Sequence, residues 1–259
     1  MSIVNRYDNF IFLKSHKTAS TSSEIHLIVN SELGNDIYYT SREVRELGLP
    51  RAKKNRTFLP GQSKLWYDFP NKSPFLSKIR GSHRLFPALL QHDTLQRVRS
   101  LFGDRFFDRA LKVTSIRNPW DALVSFYHWE KSGQQGRILK KDIEWKSWLS
   151  SVLKTDVHNK LSRAQEFLFY PYIFLEDKLA IDHFIYYEDL GSSFESLSEK
   201  LEVRINPFNQ NGFHLKKSKR KLDYRSYFTD QQTAKVEDHF KKYLDVVAYK
   251  YDDVGKLPT

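Results

Sequence analysis

The sequence predicts an α/β fold: a central, mostly parallel β-sheet flanked by helices. Short apolar or β-branched runs at Asn9–Leu13, Leu111–Ile116 and His183–Tyr187 read as strands. Segments with helical start signals and apolar faces separate them, and strands alternating with helices are the pattern of a parallel sheet. No internal repeat, low-complexity tract or linker divides the chain, so residues 1–259 read as one domain.

Asn9-Phe10-Ile11-Phe12-Leu13 is apolar and short, as a buried strand requires. The polar turn Lys14–Ser20 follows. Thr21-Ser22-Ser23-Glu24 fits a capping box, and Ile25, Ile28 and Val29 supply one apolar helix face. Residues 50–80 carry Pro50, Pro60, Gly61, Pro70 and Pro74 among many Lys and Arg, which predicts a long irregular segment. Phe75–Ile79 reads as a short strand ending at Gly81-Ser82-His83. A helix is expected over 86–102, closed by Gly103. Leu111–Ile116 alternates like a strand and meets Arg117-Asn118-Pro119, where Pro119 suits the first turn of a helix running to about 132. Helices are expected over 144–154, 162–168 and 193–201, and a last one over 229–246 follows the basic stretch 215–225.

Composition narrows the function classes. The 259 residues include 42 Lys+Arg and 31 Asp+Glu, and 42 − 31 leaves a net charge of +11, which favours an anionic partner. The absence of cysteine excludes a disulfide scaffold, a cysteine zinc site and a thiol nucleophile. The greasiest run, Phe167–Leu175, stops at Glu176 and Asp177, far short of the ~20 residues a membrane span needs. The N-terminal residues lack the features of a signal peptide. A soluble, cytoplasmic protein is expected, with a compact bacterial or viral character.

Two segments carry candidate chemistry. In the turn Lys14–Ser22, successive backbone N–H groups enter a helix N-terminus and form an anion cradle. Lys17 adds a full charge, and Thr18, Ser20, Thr21 and Ser22 add hydroxyls. The GxxxxGK[ST] pattern is absent, and a plain helix cap has the same composition. The second segment is Ser115–Ser125. Arg117 at the carboxyl end of a parallel strand faces the crevice where such sheets bind ligands, and its planar guanidinium suits phosphate. An Arg117–Asp121 ion pair at the helix start is the other reading of the same spacing.

Together the two segments resemble the cofactor signatures of sulfotransferases that use 3′-phosphoadenosine 5′-phosphosulfate (PAPS). His16-Lys17-Thr18-Ala19-Ser20-Thr21-Ser22 is similar to that family's 5′-phosphosulfate loop, written PKTGGTS or PKSGTTW. Arg117-Asn118-Pro119-Trp120-Asp121 with Ser125 resembles its 3′-phosphate motif, RNPxDxxxS. Tyr187-Glu188-Asp189-Leu190 is similar to its YEDL strand end, and Tyr224–Phe228 with Ala248–Tyr251 to its C-terminal tail. His16 replaces the usual Pro, and Ala19 and Ser20 stand where glycine is usual.

The resemblance implies a P-loop NTPase-like sulfotransferase fold and transfer of a sulfuryl group from PAPS to an acceptor hydroxyl, leaving 3′,5′-adenosine bisphosphate (PAP). Lys17 would stabilise the leaving phosphate. Lys14, His16, Thr18, Ala19, Ser20, Thr21 and Ser22 would line the 5′-phosphosulfate site. Arg117 and Ser125 would hold the 3′-phosphate, and from the basic run 216–221 Lys219 and Arg220 would close over it. No metal is needed in that scheme. The acceptor's proton requires a base. His83 is the first candidate, from its likeness to the family's THxP histidine; His16 is the second, Glu24 stands in for the glutamate of some glycan enzymes, and Glu188 ranks lower. Arg51, Lys53, Lys54, Arg56, Lys64, Trp66 and Tyr67 in the 50–80 segment suit an anionic or sugar-bearing acceptor, hence a glycan. The competing readings are a P-loop-type kinase, whose Walker Gly-Lys-Ser/Thr and acidic metal ligand after a strand are not found in the expected place, and a basic nucleic-acid-binding protein, whose cationic runs lie in two loops outside any recognisable reading element, so specific nucleic-acid readout is not expected.

Overall fold

The computed structural model describes residues 2–33, 37–38, 92–132, 143–155, 161–208 and 222–253. Its centre is a five-stranded sheet. The strands are β1 (Ile3–Asn5), β2 (Phe10–Leu13), β3 (Ile37–Tyr38), β4 (Leu111–Ile116) and β7 (His183–Tyr186), in the order β3-β1-β2-β4-β7. β2 pairs parallel with β4, and β4 with β7. β1 is antiparallel to both β2 and β3, so four strands run one way and β1 alone runs against them. The protein is thus mixed α/β with a small, mostly parallel sheet between helices. β5 (Phe174–Leu175) and β6 (Lys178–Leu179) form a separate hairpin, turned through Glu176 and Asp177, both with positive φ.

Alternation along the strands divides the apolar side chains between the two faces. Phe10, Phe12, Val113 and Ile185 pack with Ile25, Leu27 and Ile28 of α1 (Ser20–Val29) and with Phe194 and Leu197 of α8 (Leu190–Leu201). Ile11, Leu13 and Ile116 face the opposite way. They share a larger core with α2 (Leu95–Phe102), α3 (Asp104–Arg109), α4 (Pro119–Lys131), α5 (Trp145–Val152), α6 (Arg163–Leu168), α7 (Tyr170–Ile173), α9 (Asp230–His239) and α10 (Lys241–Val247). A sheet covered on both faces needs apolar residues at successive positions, which is why β2 reads FIFL with every residue buried.

Several sequence expectations hold and several need correction. β2, β4, α4, α5 and α6 lie where the periodicity predicts them, and Ser162 and Gln165 form a reciprocal capping box on α6. α2 begins only at Leu95, because the Thr94 side chain caps it by accepting from the Arg97 amide, and His92 is left-handed with φ 60. The last helix is two: the chain breaks at Phe240, buried among Phe169, Tyr170 and Tyr243. α8 starts three residues early, since Asp189 caps it through the Ser192 amide. Phe75–Ile79, the 50–80 segment, residues 86–91 and the 215–221 run lie outside the described residues. No helix among the described residues is long and apolar enough to cross a membrane.

Candidate functional site

β2, β4 and β7 end on one edge of the sheet because they run parallel, so the segments that follow them meet there. The turn after β2 is fastened to β4. Ser15 is buried; its Oγ donates to the Ser115 carbonyl and lies 2.8 Å from Thr18 Oγ1. Ser20 Oγ donates to the Ser15 carbonyl at 2.6 Å, which closes the turn on itself. Within it Lys17 (φ 63) and Ala19 (φ 55) are both left-handed. A non-glycine residue pays roughly 1–2 kcal/mol for that conformation. Ala19 therefore adopts a backbone shape that glycine takes without a Cβ penalty.

The expected capping box at Thr21–Glu24 is not formed. α1 starts at Ser20, and its N-cap, Ala19, has no side chain able to cap. The first-turn amides thus receive no side-chain cap from the N-cap position, the arrangement that suits a bound anion. Glu24 turns instead to Lys14: Nζ donates to Oε2 at 3.1 Å, with Lys14 3 % and Glu24 0 % exposed. A buried ammonium requires a buried counter-charge, and this requirement outweighs capping. The other carboxylate oxygen, Oε1, is buried without a hydrogen-bond partner. Lys14 accordingly contributes a neutral pair beneath the loop rather than net charge to it.

His16 lies in an aromatic stack. His92 covers one side with ring centroids 3.4 Å apart, and Phe167 stacks at 3.9 Å, with Phe126 4.2 Å beyond Phe167. Burial, with positive charges that include Lys17 and Lys14, pushes the His16 pKa down to about 3. His92 is likewise held well below the ordinary range, by burial first and by His16 and Lys14 after it. Its Nδ1 lies 2.8 Å from the Lys14 carbonyl, so Nδ1 carries the proton and Nε2 is the acceptor nitrogen. Both rings are neutral at neutral pH.

Arg117 follows β4, and Asn118 caps α4 through Oδ1, which accepts from the amides of Trp120 (3.1 Å) and Asp121 (3.5 Å). Arg117 is 7 % exposed and pairs with Asp121 through Nε at 2.7 Å and Nη2 at 2.5 Å. Nη1 donates to the Lys17 carbonyl at 3.0 Å, and the guanidinium lies 3.9 Å over the Tyr187 ring. The helix-start ion pair is therefore formed. Burial opposes the Arg117 charge, but Asp121, Tyr187 and Glu188 more than compensate, and its pKa is raised. Along α4, Asp121, Ser125 and Trp129 share one face at four-residue spacing. Lys17 Nζ sits 5.4 Å over the Trp129 ring, so half-buried Ser125 lies between two residues that serve the loop.

Tyr187-Glu188-Asp189 joins this edge from β7. Glu188 Oε1 accepts the Asn118 amide at 3.0 Å, and Oε2 accepts the Tyr249 hydroxyl. Burial raises the Glu188 pKa against the lowering effect of these bonds and of Arg117. The tail completes the enclosure. Asn118 Nδ2 donates to the Lys250 carbonyl at 3.0 Å, the Tyr243 hydroxyl donates to the Arg117 carbonyl at 2.8 Å, and Tyr224 donates to the Tyr251 carbonyl. Glu188 is thus a fastening between strand end and tail.

Lys14, His16, Lys17, Thr18, Ala19, Ser20, Thr21, Ser22, Arg117 and Ser125 fall at or beside one sheet edge. His83, Lys219 and Arg220 lie outside the described residues. Sequence reasoning passed over His92 and Trp129. The Asp93-Thr94 start signal before Leu95 would have taken His92 out of the predicted helix, and the i+4 step from Ser125 would have reached Trp129. Compared with protein-family models, with curated proteins and with solved structures, the chain finds no match.

Proposed function

We propose that the protein is a PAPS-dependent sulfotransferase, with a P-loop NTPase-like sulfotransferase fold, acting on an acceptor hydroxyl. One observation carries the reading: the Lys17 turn, the Arg117-Asn118 corner and the Tyr187–Asp189 strand end, each matched separately to a signature, are in direct contact through Arg117 and Glu188. The residues present suit such a donor. An uncapped helix start and Lys17 fit a 5′-phosphosulfate, and the half-buried hydroxyl of Ser125 is available to a 3′-phosphate.

In this reading the acceptor oxygen forms a bond to sulfur as the bond from sulfur to the bridging phosphate oxygen breaks, and PAP leaves. Positioning and electrostatics do most of the work in such an in-line transfer. Lys17, held over Trp129, neutralises charge developing on the leaving phosphate. A histidine takes the acceptor's proton: His83 on the sequence reading, with His16 the alternative, although burial in the stack with His92 and Phe167 lowers its pKa to about 3 and makes it a weak base. The acceptor is a glycan, from the mixed aromatic and cationic residues of the 50–80 segment.

A thermal-shift titration with PAP beside ADP and 5′-AMP tests the reading. Ligand at ~100 times its Kd adds about 2.7 kcal/mol, which moves Tm by on the order of 5–10 °C. A large shift with PAP alone supports a sulfotransferase. Equal shifts with ADP favour a kinase, and no shift with any nucleotide overturns the proposal. A His83→Ala variant that binds PAP and still turns over excludes His83 as the base.

A further inference from the structure

We infer that Trp129 is a positioning residue for Lys17: its ring face holds the ammonium in place for the anionic donor before any ligand arrives. The inference rests on the sulfotransferase reading of this site. Lys17 Nζ lies 5.4 Å from the centre of the Trp129 ring. That is within the ~6 Å over which a cation is drawn to a π face, and Trp offers the strongest such face. A lysine otherwise carries its charge at the end of a flexible stem. Contact with the ring removes part of that freedom in advance, so less ordering remains when an anion binds.

The ring is itself held. Trp129 stacks on Phe167 with centroids 5.3 Å apart at 29°, and lies 6.0 Å from Phe126, which stacks on Phe167 at 4.2 Å. Phe126 is buried, and Arg163 lies 5.4 Å over its ring while pairing with Glu130. α4 supplies Phe126 and Trp129 and α6 supplies Phe167, so the three rings form one cluster between two helices. Two consecutive residues of the β2–α1 turn rest on it: the His16 ring on Phe167 at 3.9 Å, and the Lys17 ammonium on Trp129. The bonds of Ser15 and Ser20 fasten the backbone of that turn, but they do not set the direction of the Lys17 side chain. The ring cluster supplies that direction.

Amine labelling of the ligand-free full chain, read lysine by lysine in a mass spectrometer, tests the hold on the ammonium. Trp129→Met removes the π face but keeps an apolar side chain, and should raise the labelling rate of Lys17 about threefold to tenfold at fixed pH, with the other lysines unchanged. Trp129→Phe keeps a face and should stay within about twofold of wild type. An unchanged rate in Trp129→Met, an equal rise in both variants, or a rise at lysines throughout the molecule overturns the inference.

Calorimetric titration with PAP then joins the two residues in a double-mutant cycle. Trp129→Met should weaken PAP about threefold to tenfold in the wild-type background and less than about twofold in a Lys17→Met background, where the ring has no ammonium to hold. Losses that simply add overturn the inference, because a ring that only packs, or that touches the nucleotide directly, weakens binding with or without Lys17. A wild-type chain that binds no PAP overturns the sulfotransferase reading instead, and the labelling still decides whether Trp129 holds Lys17.

Discussion

Lys14 and Glu24 form an ion pair at 3.1 Å that is closed off from solvent beneath the turn joining β2 to α1. Removing one partner leaves a buried charge alone, which costs roughly 3–5 kcal/mol. Lys14→Met should destabilise the protein by that order in urea unfolding. Lys14→Met/Glu24→Leu should recover most of the loss, because an apolar pair leaves neither charge stranded. A single variant within about 1 kcal/mol of wild type would show that the pair contributes little.

Ala19 occupies left-handed backbone at the entry to α1. Glycine relieves the Cβ conflict but adds freedom to the unfolded chain, so Ala19→Gly should stay within about 0.5–1 kcal/mol of wild type. Ala19→Val should cost more than about 1 kcal/mol, because a β-branched side chain is far less tolerant of positive φ. Thermal unfolding of the two variants side by side checks the order.

Acid should unfold the protein through its buried histidines. His16 and His26 have folded-state pKa values lowered to about 3 and about 4, mainly by burial, and His92 is lowered as well. Below pH 6.5 the unfolded chain takes up protons that the folded protein refuses. Stability is therefore full above pH 6.5 and falls as pH drops towards 4, each such group subtracting up to about 1.4 kcal/mol per pH unit. His16→Phe/His92→Phe retains a stacked pair and should flatten the dependence, as read by Tm between pH 7 and 4.5.

Asn118 ties α4 to the tail through its own side chain. Asn118→Asp keeps the capping oxygen but loses the donor to the Lys250 carbonyl, at about 1 kcal/mol. Asn118→Ala loses the cap also, for a total of about 2–3 kcal/mol. Limited proteolysis should release the C-terminal residues faster in both variants, and a tail protected equally in all three proteins would contradict the tie.

β2, β4 and α4 were legible in the sequence because each carries a signal complete within itself: an apolar run, an alternation, a proline at the first helical position. The turn at 14–20 was legible as a polar strand-to-helix turn, and hence as a candidate site, for the same reason. What escaped depended on contacts distant in sequence. Nothing near Glu24 reveals that Lys14 will compete for it against the α1 amides. Nothing near Phe240 announces a helix break, since the neighbours that surround it come from Phe169 and Tyr170. Arg117 left two readings open on spacing alone. The Asp121 ion pair is formed, and the added contact with the Lys17 carbonyl, a hundred positions away, was beyond any local pattern.

The tail's grip on the corner at Arg117 and Asn118 comes from Tyr243, Lys250 and Tyr251, with Tyr243 and Lys250 126 and 132 positions downstream of the residues they hold. The ribosome delivers the Lys17 turn first and the tail roughly 230 residues later, which at about 5–20 residues per second is a wait on the order of ten to forty seconds. Throughout that interval the polar corner lacks the partners that satisfy it. The nascent chain can assemble its first strands early, but the finished site edge waits for the segment from Tyr243 to Tyr251, when the tyrosines find their carbonyls.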